Sequence, residues 1–293
     1  MANYQWYPGH MTKAVRSMQE DIKLVDLVVE VLDARIPISS RNPDIDSLAN
    51  NKARLVLLNK ADLADNKYNE KWVAYFKDKG ITALLINAKT GNGLKGIQAA
   101  VQEACKEKIE RDRKRGIKNR PVRAMVVGIP NVGKSTFINA YAGRACAKTG
   151  NKPGVTKGKQ WIRLGKNLEL LDTPGILWPK FESQIIGRNI AFIGSMNDQI
   201  IQIEELALDL IEVLEKFYPG ILKTRYEEET PIKIETEDTK VQMLYQICES
   251  RKCYKKGEEY DTEKAAALLM DDFRNGRLGR ITLEQDVGGL EKS

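Results

Sequence analysis

Residues 128–135 read GIPNVGKS: a glycine, four residues, then Gly-Lys-Ser, between the apolar run 122–127 and an amphipathic stretch that ends near residue 143. A strand, a glycine loop and a helix in that order can hold phosphate. Glycine lets backbone N–H groups close around an anion, and the helix that follows turns its positive end toward it. The cradle is expected from Asn131, Val132, Gly133, Lys134, Ser135 and Thr136. Lys134 would reach the β- and γ-phosphates in catalysis, and the Ser135 hydroxyl would face a magnesium ion.

Three further stretches suit the same ligand. DTPG (172–175) ends an apolar run, so Asp172 can hold magnesium through water and the Gly175 amide can meet a γ-phosphate. Upstream, NKPGVTKG (151–158) offers Thr156 to complete the magnesium shell; a solvated loop threonine is the plainer reading. NKAD (59–62) ends another apolar run. The Asp62 carboxylate can accept from N1–H and the 2-amino group of guanine, whereas adenine lacks the amine and has an acceptor at N1, so GTP is preferred over ATP. Asn59 is expected to brace the base and the adjacent loop, and the stem of Lys60 to cover the ring. NAK (Asn87, Ala88, Lys89) would bring the Ala88 N–H to the guanine carbonyl.

NKAD and NAK precede the phosphate loop instead of following it, which is a circular permutation. Together with WYPGHM (6–11), DARIPISSRNP (33–43), GIPNVGKST and DTPGILWP, this order resembles the circularly permuted GTPases, and among them the bacterial ribosome biogenesis GTPase A subgroup. The likeness in motifs spans residues 6–179. It implies an α/β fold, a circularly permuted P-loop GTPase domain with a mainly parallel sheet, followed by a smaller all-α domain. It also implies GTP hydrolysis coupled to late assembly of the large ribosomal subunit, with ribosomal RNA and ribosomal proteins as partners and the subunit as stimulator.

Ile176 stands where a glutamine usually orients the attacking water, and isoleucine offers neither donor nor acceptor. By composition the single histidine, His10 in YPGH, reads as exposed and idle. The resemblance implies that it orients the water instead. It also implies that Asn131 holds potassium beside the phosphates, where a cation offsets developing charge; a loop-stabilising asparagine is the alternative.

These residues need a sheet to gather them. With 293 residues and 42% hydrophobic content the chain suits two domains, placed at 1–178 for GTP binding and 179–293 for a linker and a helical, RNA-binding region. Apolar runs at 24–35, 53–62, 81–89, 122–127 and 168–172 read as strands, with helices over 69–80 and 94–109 as crossovers of a parallel sheet. Beyond residue 179 the periodicity turns helical, over 199–217, 239–252 and 261–275.

The formal charge of +7 and pI near 9.0 favour a polyanionic partner. Residues 106–123 carry nine Lys or Arg, either as a basic connector or as an RNA-facing arm. Arg251, Lys252, Lys255, Lys256, Arg274, Arg277 and Arg280, mixed with Tyr254 and Tyr260, suit phosphate contact and base stacking. Cys105, Cys146, Cys248 and Cys253 match no zinc spacing and read as reduced packing residues. No stretch approaches the roughly 18 apolar residues of a membrane span, so a cytoplasmic, monomeric protein without membrane contact is expected. A GTP-gated RNA placeholder and a signalling GTPase with a protein partner are the competing readings.

Overall fold

The computed structural model describes residues 16, 18–49, 51–117, 120–143, 160–164, 167–172, 181, 183–196, 202–226, 232, 234, 236–287 and 289. Its sheet has the order β3-β2-β1-β4-β6-β5, with β1 at Leu27–Asp33, β2 at Ala53–Asn59, β3 at Thr82–Leu85, β4 at Val122–Val127, β5 at Gln160–Leu164 and β6 at Leu168–Asp172. Every pairing is parallel except that of β5 with β6 at one edge. The α/β sheet expected from the sequence is therefore present, with β5 as an addition.

Strand β1, LVVEVLD, is buried along its whole length because β2 and β4 flank it and both faces are covered, which suits its valine-rich sequence. Glu30 is the polar exception. Its carboxylate lies between two guanidiniums, accepting from Arg41 Nε at 3.1 Å and Arg54 Nε at 3.0 Å, and those charge-assisted bonds offset its desolvation.

The helices beside the sheet are α1 (Asp44–Leu48), α2 (Asn66–Asp78), α3 (Ile97–Ala104), α4 (Lys106–Lys114) and α5 (Lys134–Ala142). After the sheet come α6 (Gln184–Phe192), α7 (Ile203–Phe217), α8 (Ile221–Tyr226), α9 (Thr239–Arg251) and α10 (Thr262–Arg274). Helix α2 starts three residues before its apolar pattern because Asp65 caps it, accepting the Lys67 N–H at 2.9 Å. The single helix expected over 94–109 is divided by a turn at Cys105, and the first half of the basic stretch 106–123 is helix α4.

One apolar cluster covers a face of the sheet and continues into the later helices through Phe192, Leu206, Leu210 and Phe273. The Phe192 and Phe273 rings meet edge to face, 6.4 Å apart. The chain after α10 then returns to the α/β part: Ile281 N–H donates to Leu63 O at 2.9 Å, Leu283 N–H to Arg35 O at 2.9 Å, and the Trp72 indole N–H to Glu284 O at 3.0 Å. Cys105, Cys248 and Cys253 are buried, and burial pushes the first two thiols up to about 11 and about 12, so they stay protonated packing groups at neutral pH. Cys146 lies outside the described residues. No helix among the described residues is long and apolar enough to cross a membrane.

Candidate functional site

In the strand order, β1, β2 and β3 run out to one side while β4 and β6 run out to the other, so the order reverses between β1 and β4. The crevice outside the carboxyl ends at such a point is where open α/β sheets bind ligands. Register sets Asp33 beside Asn59, and Asp172 beside Val126, two residues before the phosphate loop. The residues quoted from four separate stretches thus converge on one edge of the sheet.

The two glycines of the loop are dictated by their neighbours. A Cβ on Gly128 would sit 2.5 Å from Val31 O, and one on Gly133, at φ +96°, would sit 2.4 Å from Asn59 Nδ2. Lys134 is buried at the start of α5 and its Nζ donates to Gly128 O and Ile129 O, both at 2.9 Å. The ammonium is thereby held across the loop it follows. Ser135 and Thr136 are half-buried in the same helical turn.

Asn59 joins the guanine-side loops to the phosphate loop. Its Nδ2 donates to Val132 O at 2.8 Å, and its Oδ1 accepts the Ala88 N–H at 2.9 Å. Asn59 thus bridges the two loops, and the amide expected to meet the guanine carbonyl is engaged by Asn59. Asn87 shapes its own loop, its Oδ1 accepting from Lys89 N at 2.9 Å and Thr90 N at 3.1 Å. Lys60, in the left-handed region at φ +58°, reaches across to Asn131 O at 2.8 Å. Asp62 is exposed in the turn beyond it.

Behind this edge lies a group the sequence reading did not assign. Asp33, fully buried, accepts from Arg35 Nε at 2.9 Å and Nη2 at 2.8 Å, and its Oδ2 lies 3.0 Å from Lys60 Nζ. Burial alone would raise the Asp33 carboxyl, but the Arg35 guanidinium and Lys60 ammonium hold it well below the usual carboxylate range. Arg35 also donates to Phe273 O at 3.2 Å and Arg274 O at 3.3 Å, the last residues of α10. Arg274 in turn donates to Phe192 O at 3.0 Å and Ala191 O at 2.9 Å. Just after α6, Ser195 Oγ donates to Pro130 O, and the Asn131 amide donates to Gly194 O. The phosphate loop, the base-side loop and the helical region are therefore hydrogen-bonded in a ring.

The basic cluster expected to contact RNA divides in two. Tyr260 is buried, stacks with Tyr254 at 6.1 Å, and both phenols donate to Glu249, so these rings pack internally and are not free for bases. Arg274 serves the α6 carbonyls and Arg277 pairs with Asp271 and Asp272. Lys252, Lys255, Lys256 and Arg280 remain exposed, as does Arg251, whose guanidinium also sits over the Tyr226 ring. Composition cannot separate a solvated cation from one turned inward. His10, Thr156, Gly175 and Ile176 lie outside the described residues, as does the side chain of Asp172, whose backbone closes β6.

Glu284 ties the returning chain to this edge by accepting the Ile38 N–H at 2.7 Å and the Ser39 N–H at 2.8 Å. Burial pushes its carboxyl up to about 7 from an ordinary 4.5, against the pull of those donors. The folded state therefore binds this proton more tightly than the unfolded chain. The stabilisation is fully present below about pH 4.5 and is lost as pH rises through about 7. The unfolding free energy should fall across that window by at most about 1.4 kcal/mol per pH unit from this group, and the melting temperature with it. Glu284→Gln should flatten it, and an unchanged slope would assign the effect to another group.

The sequence profile of the family described as "50S ribosome-binding GTPase" matches residues 123–249, beginning at β4 and so leaving NKAD outside the match. Ribosome biogenesis GTPase A of Bacillus cereus is 48% identical over 281 residues, covering 96% of this chain and 93% of that protein. The protein of the same name from Priestia megaterium is 46% identical, covering 96% of each. Among solved structures, GNP-bound YlqF from T. maritima superposes with a TM-score of 0.65 at 28% identity, covering 93% of this chain and 97% of that one. Near-complete coverage at such identity, on a sheet whose base-side strands precede its phosphate loop, makes this chain a circularly permuted P-loop GTPase of the ribosome biogenesis GTPase A family.

Proposed function

We propose that the protein hydrolyses GTP as an assembly factor in late maturation of the large ribosomal subunit, binding ribosomal RNA in a nucleotide-dependent way. The observation that carries this reading is the ring of hydrogen bonds from the phosphate loop through α6 and α10 to Asp33 and Lys60, which couples nucleotide contacts to the helical region. The relatives' printed names supply the ribosomal setting. Residues 1–178 hold the nucleotide and 179–293 face the partner, with Lys252, Lys255, Lys256 and Arg280 as RNA contacts in the helical part.

At the site, Asp62 selects guanine, Asn59 holds the two loops at a fixed spacing, and the Lys60 stem covers the ring. Ala88 N–H, shared with Asn59 Oδ1, and the NAK residues Asn87 and Lys89 close the base side. The amides of Asn131, Val132, Gly133, Ser135 and Thr136 and the Lys134 ammonium take the phosphates. The donor chemistry suits magnesium: Ser135 is in the first turn of α5, which packs against the strand that ends at Asp172. Ser135, Thr156 and Asp172 would hold that ion, which would supply charge neutralisation between the β- and γ-phosphates. The Gly175 amide meets the γ-phosphate, Asn131 holds potassium, and His10 orients the water that Ile176 cannot.

GTPase assays of wild type and His10→Ala, with mature and immature large subunits in potassium and sodium buffers, test the reading. Wild type should be stimulated by the immature subunit in potassium. His10→Ala should lose about 10²-fold in kcat with KM little changed. Equal stimulated rates in the two proteins would remove His10 from the mechanism, and no response to any subunit would remove the partner.

A further inference from the structure

The nine cations of residues 106–123 face three acids, a surplus of six within a chain whose net charge is +7. By contrast, residues 249–260 of the helical region hold four cations against three acids. Almost all of the protein's excess positive charge is therefore gathered in one stretch, and the nucleotide chemistry uses none of it. Helix α4, which carries five of those nine cations, buries none of its residues.

Its surroundings make it part of a continuous surface. Asp26 is the hub: it pairs with Lys108 at 3.4 Å and Arg120 at 3.7 Å, and accepts the Arg123 N–H at 3.1 Å. Arg123 then lies over the ring of Trp161 on edge strand β5, 5.3 Å from its centroid, and 41% of that indole is exposed. Lys106, Arg111, Arg113, Lys114 and Arg115 are exposed along α4. Asp26 and Arg120 precede β1 and β4, so this hub lies at the amino ends of the strands, roughly 20 Å of β-strand from the phosphate loop, while Trp161, opposite Leu171 on antiparallel β5, extends the surface along the sheet edge toward the carboxyl ends.

We propose that α4, Arg120, Arg123 and Trp161 form a second RNA-binding surface, on the GTPase domain and independent of the nucleotide. The cations would neutralise backbone phosphates, and an unpaired base would stack on Trp161 beside Arg123. Charge alone would also suit an acidic protein; the exposed indole held by a guanidinium favours nucleic acid. The identity of the partner rests on the ribosomal reading above, whereas the position of the surface does not.

The test is Arg111→Glu/Arg113→Glu/Lys114→Glu/Arg115→Glu, with Trp161→Ala as a separate variant, titrated with protein-free large-subunit ribosomal RNA across a salt series. The charge variant should bind at least about 10-fold more weakly at 0.1 M salt, and its log Kd against log salt slope should fall by about 2 to 3. Trp161→Ala should weaken binding about 5-fold or more. GTP affinity should stay unchanged in the charge variant, since its altered side chains are exposed and distant from the phosphate loop. Wild-type affinity and slope in the charge variant would overturn the surface. Failure of wild type itself to bind RNA would overturn the partner, and an equal loss of binding to polyglutamate would point to an acidic protein instead.

Discussion

Lys134→Ala is expected to lower kcat/KM for GTP about 10³-fold, the largest single effect in this protein. Two terms add. The ammonium lost from the β- and γ-phosphates removes charge stabilisation that grows as the transferred group loosens from the leaving oxygen. The same ammonium also binds Gly128 O and Ile129 O, so the loop loses the contact that fixes its curvature. Lys134→Met keeps most of the buried stem but neither ammonium contact, so it separates lost packing from lost charge: it should recover folding stability but not turnover. Measured by stopped-time phosphate release, a loss under about 10-fold would mean that another cation carries the phosphate charge.

The second large effect concerns stability. Arg35→Ala should destabilise the fold by about 3–5 kcal/mol, because it leaves Asp33 buried with only Lys60 and strips two donors from the end of α10. The double variant Asp33→Asn/Arg35→Met should be less destabilised than the single one, since the buried charge goes with its partner. Urea unfolding of the two measures the difference, and a double variant worse than the single would show that the pair contributes net attraction. GTP affinity should fall with Arg35→Ala, because Asp33 then draws Lys60 without a competing cation and its bond to Asn131 O is disturbed.

The parts that were legible in the sequence are those with local signatures. Apolar runs rich in valine and leucine announced β1, β2, β4 and β6, and glycine spacing announced the phosphate loop before any coordinate was needed. Strand β5 was not legible because QWIRL gives only five alternating residues, with Trp161 and Arg163 facing solvent. DARIP was visible as a motif, yet its chemistry was not, since the donors that Asp33 needs are Arg35 and Lys60 and the acceptors that Arg35 needs lie 238 and 239 residues away. Tyr254 and Tyr260 misled for a related reason. A tyrosine among lysines has the composition of a base-stacking platform, and only the position of Glu249 shows that both phenols turn inward.

The return of residues 281–285 to the base-side edge has a consequence in time. Glu284 and the amide of Ile38 are 246 residues apart, so during synthesis the loop after β1 and the turn after NKAD cannot gain these contacts until the helical region has been translated. A nascent chain lacking only that stretch already holds every nucleotide motif, but it lacks the clasp on the loops that present guanine contacts. The clasp on the base-side loops is therefore added only after every nucleotide motif has been made.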